Sequence, residues 1–129
     1  MKRYIIMLMS CLLPVACLAQ GSDKIKSVSV GEFAETVRQK NVVLVDVRTV
    51  KEYSDGHIAG SVNVVWTDKT FKEDFEKQKI KNKKIVAVYC RSGRRSMSAA
   101  KVLADMGYQV VNLSGGIMAW QKEGKEVVK

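Results

Sequence analysis

This chain of 129 residues has little proline, histidine or cysteine, and it has no long hydrophobic run. Its longest apolar stretch, residues 4–15, is shorter than the roughly 20 residues that a transmembrane helix needs, so no membrane span is expected. A single proline and the lack of any repeat or low-complexity segment indicate one domain without an internal linker. The basic residues outnumber the acidic ones, 22 to 13, which favours attraction of small anions.

The amino-terminal segment has the three parts of an export signal. Lys2 and Arg3 carry the positive charge, residues 4–15 form the apolar core, and residues 17–19 (Cys-Leu-Ala) end it with small residues. We therefore expect residues 1–19 to be a cleaved signal peptide, residues 20–129 to form one domain, and the mature protein to be periplasmic or secreted. The alternatives are a retained anchor, or a lipoprotein acylated at Cys17 or Cys11.

Removal of residues 1–19 would leave Cys90 as the only cysteine. A single thiol forms no internal disulfide, and without a Cys-x-x-Cys pair a redox centre of the dithiol kind is not expected. One cysteine and one histidine, His57, do not make a metal site. Gly115 and Gly116 lack the G-x-G-x-x-G context of a dinucleotide site, so neither a metal nor a cofactor is expected. An unpaired cysteine in an exported protein indicates either burial or use.

Cys90 follows the apolar run 85–89 and begins a loop that is rich in cations and backbone donors. Residues 91–95 (Arg-Ser-Gly-Arg-Arg) are expected to wrap over the sulfur, with Gly93 permitting a tight turn. Ser96 is expected to cap the next helix, whose positive end would point at the sulfur. Such a ring of N–H groups stabilises an anion. We therefore predict that the thiol pKa of Cys90 is lowered, because nearby cations and helix N-termini favour the thiolate.

The rest of the chain alternates strand and helix patterns. Strands are predicted at 42–47, 62–65, 85–89 and 109–113, and helices at 31–40, 67–79 and 96–106. This alternation predicts an α/β fold, with a parallel sheet that helices cover on both faces. Sites in such folds lie beyond the carboxyl ends of the strands, and Cys90 has that position.

Several motifs, in order, are similar to those of the single-domain rhodaneses, the thiosulfate sulfurtransferase-like proteins. They are Asp46-Val47-Arg48, Glu52-Tyr53, Gly56-His57-Ile58-Ala59-Gly60-Ser61-Val62-Asn63, Tyr89-Cys90-Arg91-Ser92-Gly93-Arg94-Arg95-Ser96, and Gly115-Gly116-Ile117-Met118-Ala119-Trp120. The resemblance extends from about residue 25 to the end of the chain. It implies a rhodanese-like three-layer fold with a five-stranded parallel sheet.

The resemblance also implies a chemistry in which Cys90 carries a sulfane sulfur as a persulfide. The catalytic residue is then Cys90, and the substrate-binding loop consists of Arg91, Ser92, Gly93, Arg94, Arg95 and Ser96. The expected partners are a small anionic sulfur donor such as thiosulfate and a cyanide or thiol acceptor. Nucleic acid and membrane, beyond the export signal, are not expected partners, and the protein is expected to be a monomer.

Two other functions remain open from the residues. One is a persulfide carrier that delivers sulfur to a partner protein without turning over free thiosulfate. The other is a cysteine phosphatase or arsenate reductase, whose loop is typically Cys-x5-Arg. In this chain Arg95 gives Cys-x4-Arg and Ser96 takes the next position, so the shorter loop favours a single sulfur atom over a tetrahedral oxyanion.

Three further polar residues have predicted structural roles. His57 lies in a loop between strands, where a structural role is expected. Arg48 follows a buried strand, and we expect it to form an ion pair with Glu52 that stabilises the turn; lining of the pocket is the alternative. Residues 114–116 and Trp120 are expected to form a strand-to-helix turn and an aromatic contact with the core.

Overall fold

The computed structural model describes residues 24–80 and 84–129. The predicted signal peptide lies outside these described residues. Strands and helices alternate along the chain. They are β1 (Ile25–Val28), α1 (Val30–Val37), β2 (Val42–Asp46), α2 (Val50–Asp55), β3 (Val62–Asn63), α3 (Phe71–Glu76), β4 (Ile85–Tyr89), α4 (Arg94–Asp105), β5 (Gln109–Leu113) and α5 (Gly116–Lys122). None of the helices in these two ranges has the length and apolarity needed to cross a membrane.

The strands form one parallel sheet of five in the order β1-β5-β4-β2-β3. β4 lies at the centre and pairs with β5 on one side and β2 on the other. Because β2 and β4 are neighbours, with Asp46 opposite Tyr89, the segments that follow these two strands meet at the same edge. This position is where open α/β sheets hold their sites.

The sheet separates two apolar clusters, since successive strand residues face opposite sides. On one face Val86 and Val88 of β4 pack with Phe75 of α3 and Leu103 of α4. On the other face Ala87 and Tyr89 belong to the cluster that includes Phe33 of α1 and Trp120 of α5, whose rings meet edge to face at 6.3 Å. The predicted α/β sheet with helices on both faces is therefore confirmed.

Several predicted boundaries differ from the structure. The strand predicted over 62–65 is reduced to Val62–Asn63, and the helix predicted over 67–79 to Phe71–Glu76. The helical pattern did not reveal α2, which buries no residue and begins with a capping box between Thr49 and Glu52. Such a helix has no apolar stripe to detect, because reciprocal side-chain and backbone bonds stabilise its start instead.

The carboxyl-terminal segment folds back onto the loop that follows α2. The backbones of His57 and Val128 exchange two hydrogen bonds of 2.8 Å. The indole N–H of Trp120 donates to the carbonyl of Glu126 at 3.0 Å. The segment therefore ties α5 to the loop between α2 and β3.

Candidate active site

Cys90 lies directly after β4, in the centre of the sheet, and residues 91–93 connect it to α4. The backbone N–H of Gly93 points at its sulfur, with 3.1 Å between nitrogen and Sγ. Gly93 has a φ of 103° in the left-handed region, which a residue with a Cβ adopts only with strain. The loop thus turns back over the sulfur as predicted, and the glycine makes this turn possible.

Ser96 has a different role from the predicted one. α4 begins two residues earlier, at Arg94, with Gly93 as the N-cap residue, so Ser96 lies within the first turn. Its side chain is fully buried, and its hydroxyl donates to Sγ of Cys90 at 3.4 Å. The prediction that Ser96 caps the helix is therefore wrong, because the hydroxyl is directed at the sulfur.

Opposing influences act on the acidity of Cys90. Only 1% of its surface is exposed, and this burial raises the thiol pKa because it disfavours the charged form. Hydrogen bonds from the Ser96 hydroxyl and from the backbone N–H groups of Ser96, Gly93 and Ser92 lower it. The donors outweigh burial, and the pKa of Cys90 lies below its ordinary value. This agrees with the predicted direction, and the main donors are hydroxyl and amide groups.

The start of α5 holds the loop from the outside. The N–H of Ile117 donates to the carbonyl of Cys90 at 2.9 Å, and that of Met118 to the carbonyl of Arg91 at 3.1 Å. With these carbonyls bound to α5, the loop is held with its N–H groups free to turn toward the sulfur. Gly116 permits this contact, because a Cβ there would lie 2.2 Å from the oxygen of Arg91. Sequence reasoning placed a turn at this glycine but missed its contact with the loop.

The three arginines of the loop have different surroundings. The guanidinium of Arg95 donates to both carboxylate oxygens of Glu52, each at 2.9 Å. Arg91 lines an open cleft of about 390 Å³ together with Met118 of α5. Arg94 is exposed. Of the three loop arginines, therefore, only Arg95 forms an ion pair within the described ranges. Ser92 is exposed beside Arg91.

The predicted ion pair between Arg48 and Glu52 is wrong. Arg48 pairs with the fully buried Asp46, with 2.6 Å between Nη2 and Oδ2, and it also donates to the carbonyl of Gly56 at 2.7 Å. Glu52 binds Arg95 instead. Arg48 also lies in the wall of the cleft that Arg91 lines. The alternative, a contact of Arg48 with substrate, stays a prediction.

His57 makes contacts that fit the predicted structural role. Its ring stacks on that of Tyr53 at 3.7 Å between centroids, and its Nδ1 lies 2.9 Å from the carbonyl oxygen of Tyr53. Its backbone binds Val128 in the carboxyl-terminal segment. Within residues 24–80 and 84–129, no group of three histidine, cysteine, aspartate or glutamate side chains lies close enough to hold a metal ion.

Comparisons with known proteins identify the family that the chain resembles. The family profile described as "Rhodanese-like domain" matches residues 29–123. The chain is 36% identical over 103 residues to YtwF of Bacillus subtilis, covering 79% of this chain and 96% of that protein. It is also 36% identical over 90 residues to a protein of Allochromatium vinosum named sulfurtransferase, covering 69% and 80% of the two chains.

Solved structures of similar fold include the rhodanese-related protein of Thermoplasma volcanium. It superposes with a TM-score of 0.70 at 30% sequence identity, covering 80% of this chain and 97% of that one. The residues that the family profile matches include strands β2–β5, helices α1–α5 and the loop that holds Cys90.

Proposed function

The chain belongs to the rhodanese-like family of sulfurtransferases, and on this premise we propose that Cys90 carries a sulfane sulfur from thiosulfate, or a similar donor, to a thiophilic acceptor. The observation that supports this most directly is the convergence of the Gly93 N–H and the Ser96 hydroxyl on a sulfur whose pKa is lowered. Both groups favour the anionic form, which is the nucleophile.

In the first step the thiolate of Cys90 attacks the outer sulfur of thiosulfate. A bond forms between Sγ and this sulfur as the sulfur–sulfur bond of the donor breaks, and sulfite leaves with the bonding electron pair. In the second step cyanide or a thiolate attacks the terminal sulfur, and Sγ departs as the thiolate. This is covalent catalysis in two displacements, and neither of them requires a protein base.

The loop suits the intermediate as well as the free thiolate. A persulfide anion places its negative charge one atom beyond Sγ, and preorganised N–H groups stabilise such a charge without having to reorient. The two carbonyls bound by α5 are held away from this charge. Because Cys90 is 1% exposed, access to its sulfur favours a slender atom such as the terminal sulfur of the donor.

The phosphatase alternative is disfavoured by the position of Arg95. In the Cys-x4-Arg pattern this guanidinium would have to hold the oxyanion, and it is already bound to both oxygens of Glu52. The carrier alternative uses the same Cys90 persulfide and differs only in the acceptor, which would be a partner protein. We also propose that the chain is exported through residues 1–19 and acts in the periplasm or outside the cell, as their sequence pattern supports.

Intact-mass analysis after treatment with thiosulfate tests the proposed chemistry. We expect a gain of one sulfur atom per chain, reversed by cyanide, and no gain in Cys90→Ser. Ser98→Ala, an exposed position on α4, is the control and should keep the wild-type gain. A wild-type protein that gains no sulfur would refute the proposal. One that gains sulfur but does not turn over with cyanide would be a carrier.

A further inference from the structure

Arg95 and Glu52 join the two segments that follow neighbouring strands. Arg95 lies in the first turn of α4, directly before Ser96, and Glu52 lies in the first turn of α2. Their two hydrogen bonds of 2.9 Å are bidentate, and the side chains are 29% and 30% exposed. A bidentate guanidinium–carboxylate pair fixes orientation as well as distance.

Glu52 is itself held by its own helix. Its Oε1 accepts from the backbone N–H of Thr49 at 3.0 Å and from the Thr49 hydroxyl at 3.1 Å, and its backbone N–H donates back to this hydroxyl at 3.2 Å. The carboxylate is therefore anchored before Arg95 binds it. Hydrogen bonds from Arg95 are the main cause that lowers the pKa of Glu52 to about 2, so the pair stays charged at neutral pH.

Arg95 also lies within the electrostatic field of the sulfur. Its pKa is raised mainly by hydrogen bonding to Glu52, and the charge of Cys90 contributes in the same direction. The ion pair between Arg95 and Glu52 therefore acts on the turn of α4 that carries the Ser96 hydroxyl. It also fixes the position of a positive charge near Sγ.

We propose that Arg95 is a positioning residue, held by Glu52 so that the first turn of α4 keeps the Ser96 hydroxyl on Cys90, and that Arg91 is the loop arginine that meets the anionic donor. The role of Arg91 rests on the proposed function. The role of Arg95 does not, because it concerns only the acidity of the Cys90 thiol. The two roles separate because the guanidinium of Arg95 is occupied by Glu52, whereas Arg91 directly follows Cys90, is exposed and lines a cleft with Glu52, Asp55 and Met118.

The rate of Cys90 alkylation by iodoacetamide as a function of pH tests the positioning role without any turnover. In Arg95→Gln we expect the profile to move to higher pH and the rate near neutral pH to fall about threefold or more, since an opposite charge and ordered donors favour the thiolate. Arg91→Gln is expected to leave the rate within about twofold, because burial and the loop donors, not Arg91, determine the acidity. Arg38→Gln, which breaks an exposed pair with Glu35, is the control for loss of an arginine.

Steady-state kinetics with thiosulfate test the division of roles. Arg95→Gln and Glu52→Gln should lower kcat and leave KM within about twofold, whereas Arg91→Gln should raise KM, as loss of a binding contact does. The double variant of Glu52 and Arg95 should have a kcat no lower than that of Arg95→Gln alone, because the two residues act as one unit.

An Arg95→Gln protein with wild-type alkylation and a raised KM would overturn the proposal, since Arg95 would then bind the donor. Its melting temperature, compared with that of Arg38→Gln, shows whether the fold is intact. If the wild type gains no sulfur from thiosulfate, the proposed function fails, while the alkylation profiles still decide whether Arg95 positions the loop.

Discussion

At the scale of single residues, Cys90 shows how a nearly sealed thiol becomes acidic. Burial alone would keep it protonated, as it does for structural cysteines. Hydrogen bonds reverse this outcome, among them those from the N–H of Gly93 at 3.1 Å and from the hydroxyl of Ser96 at 3.4 Å. The environment that excludes water also strengthens these hydrogen bonds, because they act at a low local dielectric constant.

Replacement of Ser96 by alanine tests this balance. The hydroxyl stabilises the thiolate and not the thiol, so its loss should raise the pKa of Cys90 and move the alkylation profile to higher pH. A hydrogen bond to a charged group contributes about 1.5–3 kcal/mol, which predicts an alkylation rate near neutral pH that is lower by about tenfold or more.

Ser98→Ala is the matched control, since it removes an exposed hydroxyl from the same helix. An alkylation profile in Ser96→Ala that coincides with the profile of Ser98→Ala would show that the hydroxyl does not act on the sulfur.

At the scale of secondary-structure elements, α5 supports the loop that holds Cys90. A helix leaves its first N–H groups without partners inside the helix, and those of Ile117 and Met118 bind the carbonyls of Cys90 and Arg91. The loop and the helix therefore satisfy each other's backbone groups. Only a glycine at position 116 allows the two backbones to approach this closely.

We expect Gly116→Ala to destabilise the protein and to reduce sulfur transfer together. The added Cβ would lie 2.2 Å from the carbonyl oxygen of Arg91 and 2.6 Å from that of Cys90, so the loop or the helix must move. Overpacking of this kind typically costs about 1–3 kcal/mol, and the positive φ adds strain. Thermal unfolding and the sulfur gain by mass measure the two effects.

Gly124→Ala separates the clash from the strain. Gly124 has a φ of 83° and Gly116 one of 62°, both in the left-handed region. Nothing lies within 4 Å of a Cβ at Gly124, however. It should lose some stability and keep the wild-type sulfur gain. If both variants lost sulfur transfer equally, the contact between Gly116 and the loop would not be the cause.

At the scale of the whole molecule, the strand order brings the Cys90 loop and the helices that hold it to one edge of the sheet. Because β4 lies between β5 and β2, its loop is flanked by α5, which follows β5, and by α2, which follows β2. α5 contributes the N–H groups that bind the loop carbonyls, and α2 contributes the carboxylate that binds Arg95. The two helices thus hold the loop from both sides.

The proposed export predicts the chemical form of the mature protein. Expressed with its own amino terminus, the chain should be recovered outside the cytoplasm, starting at Gln20, with one thiol per molecule in a denatured thiol titration. Residues 20–129 expressed alone are the control and should give the same thiol count. Recovery of the intact terminus, or of a lipid mass on Cys17 or Cys11, would contradict cleavage after Ala19.

The sequence by itself determined the fold class and the place of Cys90 at the end of a central strand. The β-branched runs at 42–47 and 85–89 indicate buried strands because their pattern depends only on near neighbours. The turn at Gly93 was predictable for the same reason. A glycine between the end of a strand pattern and the start of a helix pattern indicates a turn from its near neighbours alone. The short β3 and the stripe-free α2 were not, because they lack a local apolar pattern.

The tertiary structure alone decided which polar groups meet. Glu52 could have paired with Arg48 close by in the chain, but the pairing of β2 with β4 places Arg95 beside it, 43 residues away, while Asp46 occupies Arg48. The contact of Gly116 with the Cys90 loop has the same origin. Contacts between residues distant in the sequence depend on strand order and helix placement, which no local pattern encodes.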